Sequence, residues 1–128
     1  VYGPNQSAEG GYAAVIPAFK KAIELGKECK IFGDGTQVRD FIHVNDLVRI
    51  ILLALESTEL PTELNVASGI GTSLLDLVEI LQELNPEMPS PLFEQERAGD
   101  IHTSIADISK LISSLPVGEL ISIKEGLS

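Results

Sequence analysis

The sequence predicts an α/β fold in which short strands alternate with amphipathic helices, and three observations predict it. The stretch from Ile31 to Leu47 reads as a strand end, a tight polar turn, a second strand and a helix start. In it Gly33-Asp34-Gly35 tolerates positive φ, Phe41 to Val44 is rich in strand-forming types, and Asn45-Asp46 offers a helix cap. Helical periodicity recurs on either side, at Val15, Ile16, Phe19, Ala22 and Ile23, and again at Leu74, Leu77, Val78, Leu81 and Leu84. Lys30-Ile31-Phe32 and Leu64-Asn65-Val66-Ala67 read as short strands closed by glycine-containing turns.

In chain order, Tyr2-Gly3-Pro4-Asn5 is turn material, and the small polar segment through Gly10-Gly11 is expected to be flexible. The first helix is expected from near Ala13, with Pro17 tolerated in its first turn and Gly26 marking its end. After the organising stretch, Asp46 is expected to cap a helix whose Leu47, Val48, Ile50 to Leu53 and Leu55 are apolar nearly all round, which predicts burial on most sides. Arg49 is its one cation and reads as a rim salt bridge, and His43 as a core or edge histidine rather than a general base.

Ser57 to Glu63 is a loop before the Leu64 strand. Gly69 and Gly71 lack the lysine and the spacing of a phosphate loop, and Ser73 with Asp76 reads as a capping pair for the next helix. Asn85 to Pro91 is a proline-rich connection to an edge strand, Leu92-Phe93-Glu94, and Arg97-Ala98-Gly99-Asp100 is a turn. A core-facing helix is expected from Ala106 to Leu115, capped by Asp107, with Ile108, Leu111, Ile112 and Leu115 on one face.

Composition narrows the function classes. The 128 residues are one domain's worth, read here as a single domain over 1–128, and 44% apolar with 22% charged content is that of a globular protein. A net charge of −10 argues against nucleic acid or an anionic membrane as partner, because both need a cationic face. The single cysteine, Cys29, forms no internal disulfide, and no His/Cys set has metal-ligand spacing; the chain reads as cytoplasmic and metal-free. No leader pattern or bilayer-length apolar run is present.

Against that acidic background the three arginines, Arg39, Arg49 and Arg97, stand out. Arg39 beside the glycine turn is either an anion ligand, with a fork suited to phosphate, or a surface arginine paired with Asp34 or Asp40. Arg97 in its turn is either a second such ligand or the partner of Asp100. Phe32 is either a flat stacking surface or a core aromatic.

Four segments, Val1-Tyr2-Gly3-Pro4, Phe32 to Leu47, Leu64-Asn65-Val66-Ala67-Ser68-Gly69, and Arg97-Ala98-Gly99-Asp100 leading to Ala106-Asp107-Ile108-Ser109-Lys110, together resemble the C-terminal part of the extended short-chain dehydrogenase/reductase family. These are the NAD-dependent nucleotide-sugar epimerases and dehydratases, and the likeness is greatest to UDP-glucose and UDP-N-acetylglucosamine 4-epimerases. Ser114-Leu115-Pro116-Val117 departs from the family's usual Gly-Trp/Tyr-x-Pro turn.

The resemblance implies that Arg39 and Arg97 hold the diphosphate, that Asp100 accepts from ribose hydroxyls, that Phe32 lies against the base, and that Ala14 and Val15 line the nucleotide-sugar site. It implies NAD as the parent enzyme's cofactor, bound by an N-terminal Rossmann domain that this chain lacks, so that the chain is expected to be an excised, inactive piece of a longer enzyme with no cofactor of its own. Tyr2 and Tyr12 are the only tyrosines and neither has a lysine four residues on, so the family's catalytic Tyr/Lys pair is absent. The partners implied are a nucleotide-diphosphate sugar and the N-terminal domain. A homodimer is left open, as are a 4,6-dehydratase, a decarboxylase and a non-catalytic binding domain.

Overall fold

The computed structural model describes residues 1–8 and 14–128. The expected flexible segment at Gly10-Gly11, and the helix start at Ala13, lie outside the described residues. The elements run α1 (Val15–Glu24), β1 (Lys30–Phe32), β2 (Val38–Asp40), α2 (Val44–Glu56), β3 (Gly71–Ser73), α3 (Leu74–Leu84), β4 (Leu92–Glu94), β5 (Thr103–Ser104), α4 (Ser109–Ser114) and α5 (Ile123–Leu127). β2 is the middle strand of a three-stranded sheet ordered β3-β2-β5. Read as one domain in sequence, the chain groups into two compact units, each assembled from separated segments: one from 4–39 and 72–103, the other from 1–3, 40–71 and 104–128.

The first of these units carries α1, β1, α3 and β4. β1 and β4 pair in parallel with Lys30 opposite Leu92, Ile31 opposite Phe93 and Phe32 opposite Glu94. Strand alternation turns Ile31 inward, fully buried, while Lys30 and Phe32 share the other face. Ile16 and Phe19 of α1, and Leu74, Leu77, Val78 and Leu81 of α3, are the buried stripes that the periodicity predicts. α3 starts with a full capping box, the Ser73 hydroxyl accepting from the Asp76 amide while the Asp76 carboxylate accepts from the Ser73 amide. Between β1 and β2 the chain reverses over Gly33-Asp34-Gly35. Gly35 has φ +82°, and a Cβ there would meet the Leu75 side chain at 2.7 Å, so only glycine fits.

The second unit is built on a cluster of Ile42, Ile50, Leu111, Leu115 and Val117. A buried polar web frames it. Asp46, 2% exposed, accepts from the Ile121 amide at 2.8 Å and from Arg49 at 2.8 Å, and Arg49 also donates to the carbonyls of Val117 and Glu119. Asp40 accepts from the Ser68 amide and hydroxyl, the Gly69 amide and the Ala106 amide.

Five expectations are corrected. α2 is not buried on most sides: Ile50 is, Leu53 and Ala54 partly, while Val48, Ile51, Leu52 and Leu55 are exposed, Leu55 at 77%. Only one stripe of the helix meets the cluster, so an all-round apolar sequence leaves an apolar outer face. The cap of α2 is His43, whose Nδ1 accepts from the Asn45 amide; Asp46 sits one turn in and serves the C-terminal segment instead. Leu64 to Ala67 forms no strand, and β2 ends at Asp40, with His43 making only an isolated bridge to Tyr2. α4 is shorter than expected, and its Ile112 is 63% exposed.

Candidate functional site

β1 ends at Phe32, and the turn after β4 brings Arg97 over it, with the guanidinium carbon 3.7 Å from the ring centroid. That is close stacking, a cation on the negative face of an aromatic ring. The turn closes through the Asp100 amide donating to the Arg97 carbonyl at 3.1 Å, with Gly99 at φ +82°. Asp100 is thereby held against β2, where it accepts from Arg39 Nη2 at 2.6 Å, while Arg39 Nη1 donates to the Val38 carbonyl at 2.9 Å. The pairing considered for Arg97 and Asp100 is thus not the one formed; Asp100 belongs to Arg39. The two neighbours on β2 then part company by strand alternation, Arg39 joining Asp100 and Asp40 joining Ser68 and Gly69.

Val15, Phe32, Arg39, Arg97 and Asp100 all line one cleft of about 430 Å³. Ala14 caps the start of α1, is exposed, and is not among the cleft's lining residues. Among the lining residues not singled out in the sequence are two with polar side chains, Lys30 and Gln37. Lys30 was findable: it stands two residues before Phe32 in a strand and so shares its face. Its Nζ meets Glu94 at 3.1 Å. Gln37 gave no such signal. It is 8% exposed, and its side-chain amide donates to the Phe32 carbonyl at 2.6 Å, fixing the strand end that carries the ring.

Three of the chain's nine Lys and Arg residues therefore meet at a single cleft in a protein of net charge −10. A second, smaller cleft of about 270 Å³, also bordered by Phe32, is lined by Asp34, Glu96, Asp100 and His102. Hydrogen bonds from the Thr36 hydroxyl and amide push the Asp34 carboxyl below its usual range, so it stays anionic at neutral pH. An anionic group is thus favoured on one side of the ring and repelled on the other.

The Thr36 hydroxyl lies 3.2 Å from His102 Nε2 and donates to Asp34 at 2.6 Å, an exposed contact on the side of the smaller cleft. Tyr2 is buried, and desolvation, helped by Asp46 and Glu125, pushes its phenol up to about 12, away from use as a base at neutral pH. Burial likewise raises the Cys29 thiol. Among the described residues no three His, Cys, Asp or Glu side chains group as a metal site, and no helix is long and apolar enough to cross a membrane.

Comparison with known proteins adds the following. A family model, the NAD dependent epimerase/dehydratase family, matches residues 1–67. The chain is 42% identical over 81 residues to a dTDP-4-dehydro-6-deoxy-D-allose reductase of Streptomyces bikiniensis, covering 63% of this chain and 24% of that protein. It is 30% identical over 128 residues to the UDP-glucose 4-epimerase of Mycolicibacterium smegmatis, covering 100% of this chain and 41% of the relative. Its fold matches the crystal structure of UDP-glucose 4-epimerase with UDP-glucose from Thermotoga maritima, with a TM-score of 0.86, 36% identity, and coverage of 98% of this chain and 40% of that one. The chain thus spans well under half the length of the proteins it matches.

Proposed function

Because the chain belongs to the NAD dependent epimerase/dehydratase family, we propose that its cationic cleft holds the nucleotide diphosphate of a UDP-sugar for a 4-epimerase. In this reading Phe32 offers a flat face to the base, Arg39 and Arg97 fork onto the diphosphate with Lys30 as a further charge, and Asp100 accepts from the ribose. Gln37 keeps the strand end under the ring in position. Val15 closes the apolar wall. NAD, held by the rest of the complete enzyme, would supply the hydride chemistry at the sugar C4, and the residues of this chain would contribute binding and orientation.

The division is physically sensible. Binding energy from the nucleotide, remote from the reacting carbon, anchors the substrate while the hexose stays loosely enough held to turn over. What carries the reading is the convergence of Lys30, Arg39 and Arg97 beside an aromatic ring in a strongly acidic chain.

A thermal-shift panel of UDP, dTDP and GDP sugars tests it. UDP-sugars are expected to raise the Tm most, with no epimerisation of UDP-glucose by the chain in the presence of NAD. No shift with any of the three would overturn the proposal. A second reading is favoured by the 42% identity to the dTDP-sugar reductase. There the same cleft serves a dTDP-sugar reductase, and a dTDP-sugar gives the largest shift. A 4,6-dehydratase or decarboxylase would use the cleft in the same way, and its reaction would appear only with the complete enzyme.

A further inference from the structure

We propose that Arg97 makes the cleft discriminate against bare nucleosides, because its guanidinium covers the Phe32 ring and leaves it only for a diphosphate. The inference rests on the cleft being a nucleotide site. Its basis is the difference between the two arginines that line it. Arg39 is engaged at both ends of its fork, by Asp100 at 2.6 Å and by the Val38 carbonyl at 2.9 Å. Among the described residues the Arg97 guanidinium has no carboxylate or carbonyl partner; the Phe32 ring, at 3.7 Å, is what it rests on, and its residue is exposed.

A separation of 3.7 Å is itself a stacking distance, so a base cannot share that face with the guanidinium. A nucleoside that stacks there must displace Arg97 and gives it nothing in return. A nucleoside diphosphate displaces it and supplies a better partner. An exposed cation on a ring contributes roughly two- to fivefold in an equilibrium constant, whereas a charge-assisted hydrogen bond contributes roughly ten- to a hundredfold. The exchange therefore runs toward the phosphate when one is present. In its absence the ring contact competes with the base. The lost ring contact weakens both ligands alike, and only the diphosphate recovers it through Arg97.

The distinguishing prediction is a pair of opposite signs. In the 128-residue chain, titrated with uridine and with UDP by NMR, Arg97→Ala is expected to bind uridine roughly two- to fivefold more tightly and UDP roughly ten- to a hundredfold more weakly. In a Phe32→Leu background, Arg97→Ala should no longer improve uridine binding, since there is no ring face to release. In the wild type, the Arg97 side-chain protons, shifted upfield by the ring current, should return downfield as UDP is added. If UDP binds the wild-type chain but Arg97→Ala leaves uridine binding unchanged or weaker, as it would were the base stacked on the guanidinium, the inference is overturned and the nucleotide site stands. If UDP does not bind the wild-type chain, both fall.

Discussion

Arg49 in α2 and Arg97 in the turn after β4 are both cations in an acidic chain, yet their surroundings differ in kind. Arg49 is pinned by a buried carboxylate and two main-chain carbonyls, all within the unit that contains Asp46 and the C-terminal segment. Arg97 rests on a ring face and, among the described residues, has no carboxylate or carbonyl partner. The first is held by partners that cannot move without unravelling backbone; the second can leave its resting place at small cost. Of the two arginines in the cleft, Arg97 is the one whose resting contact a ligand can displace at small cost, Arg39 being held by Asp100 and the Val38 carbonyl.

The sharpest way to break the comparison is at Asp46. Replacing it by alanine strands the Ile121 amide and the inner end of Arg49, and should lower the unfolding free energy by about 2–3 kcal/mol, somewhat under the range for a fully buried pair because Arg49 is 40% exposed. Urea unfolding would read this as a lowered midpoint. UDP affinity should stay within about twofold of wild type. A folded Asp46→Ala chain that loses UDP binding would mean the two regions are not separable.

Next come the cleft arginines. Arg39→Ala and Arg97→Ala should each weaken UDP by about ten- to a hundredfold, with lysine recovering only part of the loss, while Arg49→Ala costs stability and leaves UDP affinity nearly unchanged. Calorimetric titration of the five variants decides it. Equal losses at Arg49 and Arg97 would erase the distinction drawn above.

Smaller effects sharpen the stability side. Ser73→Ala should cost about 1 kcal/mol by removing the cap of α3. Hydrogen bonds from Ser73 depress the Asp76 carboxyl, so its contribution is present above the unfolded-state value, near pH 4, and disappears as pH falls through the lower folded-state value. The gap between wild type and Ser73→Ala should therefore narrow on acidification below about pH 4. The smallest change is expected on the outer face of α2, where Leu52→Ser with Leu55→Ser should reduce binding of a hydrophobic dye while altering stability by about 0.5 kcal/mol or less. Undiminished dye binding would show that this face is not the apolar patch.

What the sequence made legible was set by how local each signal is. The β1 strand, the Gly33 to Gly35 turn, the α3 stripe and the Ser73/Asp76 box depend on near neighbours, and each was readable. Five of the six residues singled out for a site, Val15, Phe32, Arg39, Arg97 and Asp100, line one cleft. The misreadings were long-range. Nothing beside Asp46 announces that its carboxylate will serve the Ile121 amide rather than the start of its own helix. Nothing in the apolar run of α2 says that only the stripe through Ile50 will find partners. Likewise Asp100 sits three residues from Arg97 and pairs with Arg39, sixty-one positions away.

Both units are discontinuous in sequence, and their order of completion differs. The unit bearing the cleft needs chain up to residue 103 before its last segment is available, including the parallel partner that sets Phe93 beside Ile31. The other also needs residues 104–128. Of the two units, the one bearing the cleft therefore has all its segments available earlier in synthesis, and it still has to draw together a loop of some sixty residues to pair β1 with β4. Folding of this chain should accordingly be slower than that of a helical protein of its size.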